Sequence, residues 1–297
     1  MVKKRILCVL IIFLFIPLGI NISYAQQTEI KEISTSKIEK KKTGEYPMDI
    51  QKIIDRGKII VGLYYKDKPP FIMTDKNGEL YGLDITLAKD IARRLGVAVE
   101  FNRDATSYTQ LHEIAATGVT AKGNPVDVII SKFSRTYERA KRVRYTQPYL
   151  TFRQALIINK VAAAKNKIED YPMDFLRSAK VKVGVREKTS YVEYARDMFK
   201  NAEIVEDKWE NIVDMVVNGK ITAVIRDEYE IMKLVKKNPE LAIKISVYIL
   251  KDRKDHIAMA VPCQSTNLLA WLDMYLESRQ EVLDAKDIIK KYPEAWK

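Results

Sequence analysis

Cysteine and histidine are scarce: the chain holds two of each. So few thiols and imidazoles leave no metal-ligand spacing of a known kind, and no metal or other cofactor is expected. Cys8 falls inside an N-terminal apolar run without the small residues that precede a lipidated cysteine. Cys263 is then the sole thiol of the body, which excludes an intramolecular disulfide there even in an oxidising compartment. Lying in the apolar stretch 258–263, it is expected to be a small buried hydrophobe, since neither His112 nor His256 is placed by a motif to activate it. A glycine-rich phosphate loop is missing. So is a helix with a dense basic face or interleaved aromatics, and the net charge of +12 is therefore not read as a nucleic-acid partner. No long apolar run follows the first one, which argues against a sensor with a transmembrane output region.

What is present begins with Lys3, Lys4 and Arg5, an uncharged apolar stretch over residues 6–20, and Ser23-Tyr24-Ala25. That order of charge, apolar run and small residues is a secretory signal, with cleavage expected after Ala25. An uncleaved membrane anchor is the alternative, against which Pro17 and Gly19 count as helix breakers. Removing the three charges of residues 1–25 takes the net charge from +12 to +9. Part of that excess is Lys37, Lys40, Lys41 and Lys42, in a polar N-terminal tether over residues 26–46.

From residue 53 onward, short β-rich runs alternate with amphipathic helical patterns, which is an α/β signature. Residues 58–65 (KIIVGLYY) read as a strand, Asn77-Gly78 as a turn, and the apolar run 126–130 (VDVII) as a parallel strand covered on both faces. Leu83, Leu87, Ala88, Ile91, Ala92 and Leu95 recur at helical spacing, with Asp84 as N-cap and Gly96 as stop. A second block predicts strands at 181–185, 202–205, 221–225 and 243–249, and helices at 191–199, 209–217 and 228–237. Asn238-Pro239 ends the last of these, because the residue before proline is pushed out of the helical region. Residues 118–125 (GVTAKGNP) read as a surface loop.

Five segments in order carry a resemblance. They are 61–101, 126–139 (VDVIISKFSRTYER), 145–149 (YTQPY), 181–190 (VKVGVREKTS) and 221–228 (ITAVIRDE). Together they resemble the family 3 extracellular solute-binding proteins, which serve polar amino-acid ABC transporters. The resemblance implies a two-lobed type II periplasmic-binding-protein fold with the ligand cleft between lobes, at the carboxyl ends of the strands. Lobe 1 would comprise residues 47–152 and 256–297, and lobe 2 residues 153–255. It further implies a periplasmic or extracytoplasmic monomer that binds a small amino acid or related carboxylate and docks on an ABC permease.

Site residues follow from matching positions. Arg139 stands where the family's carboxylate-binding arginine stands, and a guanidinium suits a carboxylate through its planar fork. A solvated charge among Arg135, Lys141 and Arg142 is the plainer role for it. Ser134 would add a hydroxyl. Asp227 stands where the family's ammonium-binding aspartate does, though it also suits a helix N-cap before Glu228. Thr189 and Ser190 start a helix whose free N–H groups would attract a carboxylate, or they simply cap it. Lys132 departs from the family's small residue, Lys68 from an aromatic, Tyr137 from a proline, and Arg226 precedes Asp227. Pointing inward, Lys68 and Lys132 would suit an acidic ligand and make a cationic one costly to bury. Binding rather than catalysis is expected. The alternative is a cyclohexadienyl (prephenate or arogenate) dehydratase on the same fold, which needs a general acid that the sequence does not mark.

Overall fold

The computed structural model describes residues 44–168 and 172–296, so the expected signal sequence and the tether as far as residue 43 lie outside the described residues. Ten strands form among the described residues. In chain order they are β1 (Lys58–Tyr64), β2 (Met73–Thr74), β3 (Leu80–Tyr81), β4 (Ala98–Ala105), β5 (Val128–Ile129), β6 (Val143–Asn159), β7 (Lys182–Arg186), β8 (Glu203–Asp207), β9 (Ala223–Asp227) and β10 (Ile245–Pro262). Apart from the β2–β3 hairpin, which turns at Gly78, they make one sheet in the order β4-β1-β5-β10-β6-β9-β7-β8. β1 runs parallel to β4 and β5, and β7 parallel to β8 and β9. The long antiparallel pair β6 and β10 runs through both sets.

Burial follows the two-residue period of a strand. Along β6, Leu156 and Ile158 enter one apolar cluster with Val183, Val185 and Ile225, while Ala155 and Ile157 enter another, on Ile212, Val216 and Val224. Each fully buried Ile or Leu contributes about 2 kcal/mol of transfer free energy. A third and larger cluster joins β1 and β5 to Leu87, Ile91 and Leu111, and the chain returns to it through Leu268, Leu272 and Ile288. Gly184 lets the helix Trp209–Val217 lie close on β7, since a Cβ there would meet Ile212 and Ile221 at 2.8 and 2.5 Å.

The helix expected from its apolar spacing spans Leu83–Leu95 and stops at Gly96 in the left-handed region. Its start differs from expectation. Gly82 occupies the N-cap at φ 116°, and Asp84 lies one residue inside the helix, with its carboxylate turned into the core. There it accepts from the Lys132 backbone N–H and the Tyr149 hydroxyl, both at 2.8 Å. Cys263 also departs from expectation: it is exposed, because β10 ends at Pro262 and the cysteine falls in the turn beyond. No helix among the described residues is long and apolar enough to cross a membrane.

Candidate functional site

The segment after β5 runs inward along the carboxyl end of the sheet. Ser131 Oγ accepts from the Tyr64 backbone N–H at 2.8 Å. Lys132 follows with φ 45°, a conformation that L residues other than Asn and Asp seldom adopt, held by the bond from its N–H to Asp84. From there the lysine side chain is buried. Its Nζ lies 3.2 Å from Asp227 Oδ2 and 3.0 Å from Glu230 Oε1. It also sits over the rings of Phe71, Phe152 and Tyr229 at 5.2, 5.1 and 5.9 Å. Burial works against this ammonium, but Asp227 and Glu230 outweigh it and hold the pKa well above the usual lysine value. In the same way burial alone would raise the Glu230 carboxyl, and the charge of Lys132, helped by Arg226 and Lys68, holds it well below the ordinary range.

Asp227 ends β9 and caps the helix Glu228–Lys237, accepting from the Glu230 N–H at 2.9 Å through Oδ1. Its Oδ2 takes Lys132 and lies 3.7 Å from Arg226 Nε. Arg226 is buried between the rings of Tyr191 and Trp209, each 5.5 Å from its guanidinium carbon. Its Nε has no hydrogen-bond partner among the described residues. Beside this group, Asp255 of β10 accepts from Ser134 Oγ at 3.1 Å, Tyr191 at 3.2 Å and Tyr194 at 3.1 Å. Burial, and then the charge of Asp227, push the Asp255 carboxyl upward. Ser190, at the start of the helix Ser190–Met198, donates to Ser134 Oγ at 3.0 Å.

Two cavities meet here, sharing Tyr108, Thr189 and Arg226. The inner one, bordered by Lys132, Ser134, Ser190, Asp227 and Asp255, has about 20 Å³ of free space. The outer one, about 760 Å³, is bordered by Tyr64, Lys68, Arg186, Trp209 and Glu230 among others. Lys68 lies over the Tyr64 ring at 5.9 Å. Burial pushes its pKa down to about 8; Glu230 opposes that fall, and Arg186, Arg226 and Lys132 add to it.

Of the residues singled out from sequence, Lys68, Lys132, Ser134, Thr189, Ser190 and Asp227 come together around these cavities. Arg139 borders neither. It is buried against Phe133, with its guanidinium carbon 4.5 Å from the ring centre, and its Nη1 donates to the Ser134 carbonyl at 3.1 Å. Asp227 does cap a helix, as its plainer role required. Thr189 Oγ1 turns back to donate to the Arg186 carbonyl at 2.7 Å rather than capping its helix. Sequence reasoning missed Tyr191, Trp209, Arg186 and Asp255, and noted Arg226 only as a neighbour of Asp227. A charged pair closing the apolar strand AVIRD is a signal that could have marked Arg226. Asp255 lies in the polar run KDRKD and carries no such mark.

Comparison with known proteins agrees with this architecture. The chain belongs to the bacterial extracellular solute-binding proteins, family 3, whose family model matches residues 59–294. It is 26% identical over 176 residues to ABC transporter arginine-binding protein 1 of Escherichia coli K12, covering 59% of this chain and 65% of that protein. It is 27% identical over 197 residues to the L-cystine-binding protein TcyJ of the same organism, covering 65% and 68%. The matched region thus spans about two thirds of the length of these relatives. Among solved structures, an amino acid ABC transporter substrate-binding protein of Streptococcus pneumoniae bound to L-arginine superposes with TM-score 0.60 at 26% identity, covering 83% of this chain and 97% of that one. An ancestral amino acid-binding protein, a precursor of cyclohexadienyl dehydratase, superposes with TM-score 0.59 at 27% identity, covering 82% and 98%. The fold is the two-lobed α/β architecture of these proteins.

Proposed function

We propose that the chain is an extracytoplasmic solute-binding protein that closes on a small, acidic, carboxylate-bearing solute and presents it to an ABC permease. Its lobes would be residues 47–152 with 256–297, and residues 153–255, joined where β6 and β10 pass between them. One observation carries this reading: the end of β9 and the start of the helix Ser190–Met198 border a cavity of about 760 Å³ with cations and aromatic rings at its wall, and the loop after β5 borders the small inner cavity that meets it. That volume is in the range of small-molecule sites, and a buried guanidinium whose Nε makes no hydrogen bond among the described residues, with Asp227 at 3.7 Å, is a ready partner for a carboxylate. Arg226, Lys68, Ser190 and Thr189 would bind the solute. Lys132 and Asp227 would line the site from opposite lobes. Arg139 would act through Ser134, whose carbonyl it holds. We propose no enzymatic role, because the groups at the cavity recognise charge without an evident acid and base poised on a leaving group.

A fluorimetric unfolding screen of the mature chain against the proteinogenic amino acids and related carboxylic acids tests this reading. Binding to the folded state alone stabilises by about 2.7 kcal/mol at a hundredfold excess over Kd. The expected result is a raised midpoint with an acidic solute. Silence across the whole panel would contradict solute binding of this kind.

A further inference from the structure

Within that solute-binding reading, we infer that the cleft selects an organic carboxylate lacking an α-ammonium group, such as a 2-hydroxy acid, because Lys132 already fills the position a ligand ammonium would need. A cation entering a low-dielectric cavity must find a carboxylate with free capacity. The two acids of the inner cavity and Glu230 of the outer one are each engaged. Asp227 takes Lys132 and the Glu230 N–H, and lies beside Arg226. Glu230 takes Lys132 as well. Asp255 accepts three hydroxyls. At the outer cavity, Asp67, Glu113 and Glu187 pair with Arg103, Arg142 and Lys188, and Glu210 is exposed to solvent.

The cations present the opposite picture. Arg226 Nε is buried and makes no hydrogen bond among the described residues, with Asp227 at 3.7 Å as its ion-pair partner, and Lys68 and Arg186 stand at the same cavity. An incoming ammonium would have to share Asp227 and Glu230 with Lys132 Nζ at a few ångströms, a repulsive arrangement of like charges. Lys132 is also seated rather than draped. Two carboxylates and three rings surround its ammonium, its backbone is pinned by Asp84, and only about 20 Å³ of the inner cavity is left beside it. A cationic side chain would fare no better against Lys68, Arg186 and Arg226. The chain is therefore expected to reject arginine, the ligand for which its E. coli relative is named.

Calorimetric titration with matched pairs tests this, using the mature wild type and Lys132→Ser. The probes are L-glutamate against L-2-hydroxyglutarate, L-phenylalanine against L-3-phenyllactate, and L-arginine as the cationic control. In the wild type the hydroxy acid of at least one pair should bind at least about tenfold more tightly than its amino acid, with no heat from arginine. Lys132→Ser should raise affinity for the amino acid and narrow or reverse that ratio. An amino acid binding the wild type as tightly as its hydroxy partner overturns the inference and leaves solute binding intact. A hydroxy-acid preference unchanged in Lys132→Ser overturns the role of Lys132. No heat from any probe with either protein overturns the inference, and an equally silent unfolding screen would then remove the solute-binding reading too. Should Lys132→Ser fail to fold, Lys132→Gln takes its place, and the wild-type comparison stands by itself.

Discussion

Lys132 is buried and charged, a combination that is stable only because its partners are buried with it. Replacing it with methionine keeps the contacts to Phe71, Phe152 and Tyr229 but leaves Asp227 and Glu230 facing each other without the cation. Lys132→Met should lower stability at neutral pH by about 3 kcal/mol, the usual scale for breaking such a pair from one side. The sign with pH is fixed by Glu230, whose carboxyl Lys132 holds below its ordinary range. Stability from a depressed carboxylate is present above its unfolded pKa and is lost as pH falls through the folded one, so the gap between wild type and variant should narrow in acid, from pH 7 to pH 3. Urea unfolding at both values checks this, and a gap that widens in acid would contradict it. At this scale the sequence was partly legible. Position within the resemblance marked Lys132, Ser134, Thr189, Ser190, Asp227 and Lys68. It could not show that Lys132 would pair with Asp227 across 95 residues of chain rather than meet a ligand, nor that Arg139 would turn to the Ser134 carbonyl.

Among elements, the short ones were the most legible. The helices Trp209–Val217 and Glu228–Lys237 form where spacing and a following Asn-Pro place them. The strands β6 and β10 were not foreseen at their 17 and 18 residues. Polar runs such as KDRKD interrupt the apolar alternation in mid-strand, at the point where β10 shifts register between Ile249 and Lys254. β5 is shorter than the apolar run around it, because Asp127 turns aside to bond the Ile60 N–H at 2.8 Å and to pair with Arg56. The helix Leu83–Leu95 depends on Gly82 in a way its pattern does not reveal. At φ 116° a Cβ would lie 2.6 Å from the carbonyl oxygens of Pro70 and Phe71. Gly82→Ala should therefore cost about 2 kcal/mol or more. Gly96→Ala has open space around it and should cost only about 1 kcal/mol through its positive φ. Thermal unfolding of the two variants should rank them in that order, and equal midpoints would contradict the close approach at Gly82.

At the scale of the molecule, three apolar clusters among the described residues are tied by one sheet, and the site lies where the polar ends of the two strand sets face each other. The α/β class was legible from alternation alone. The site needed the tertiary fold, because its charges come from segments some hundred residues apart. The account rests on Arg226 as the anion's anchor in this cleft. Methionine there keeps much of the bulk between Tyr191 and Trp209 while removing the guanidinium. The most direct measurement is calorimetric titration of wild type and Arg226→Met with the solute that most raises the unfolding midpoint. The account predicts that affinity falls at least about a hundredfold while the variant stays folded, since a carboxylate would then be buried without its partner. An affinity unchanged in a folded Arg226→Met would contradict it and place the solute elsewhere.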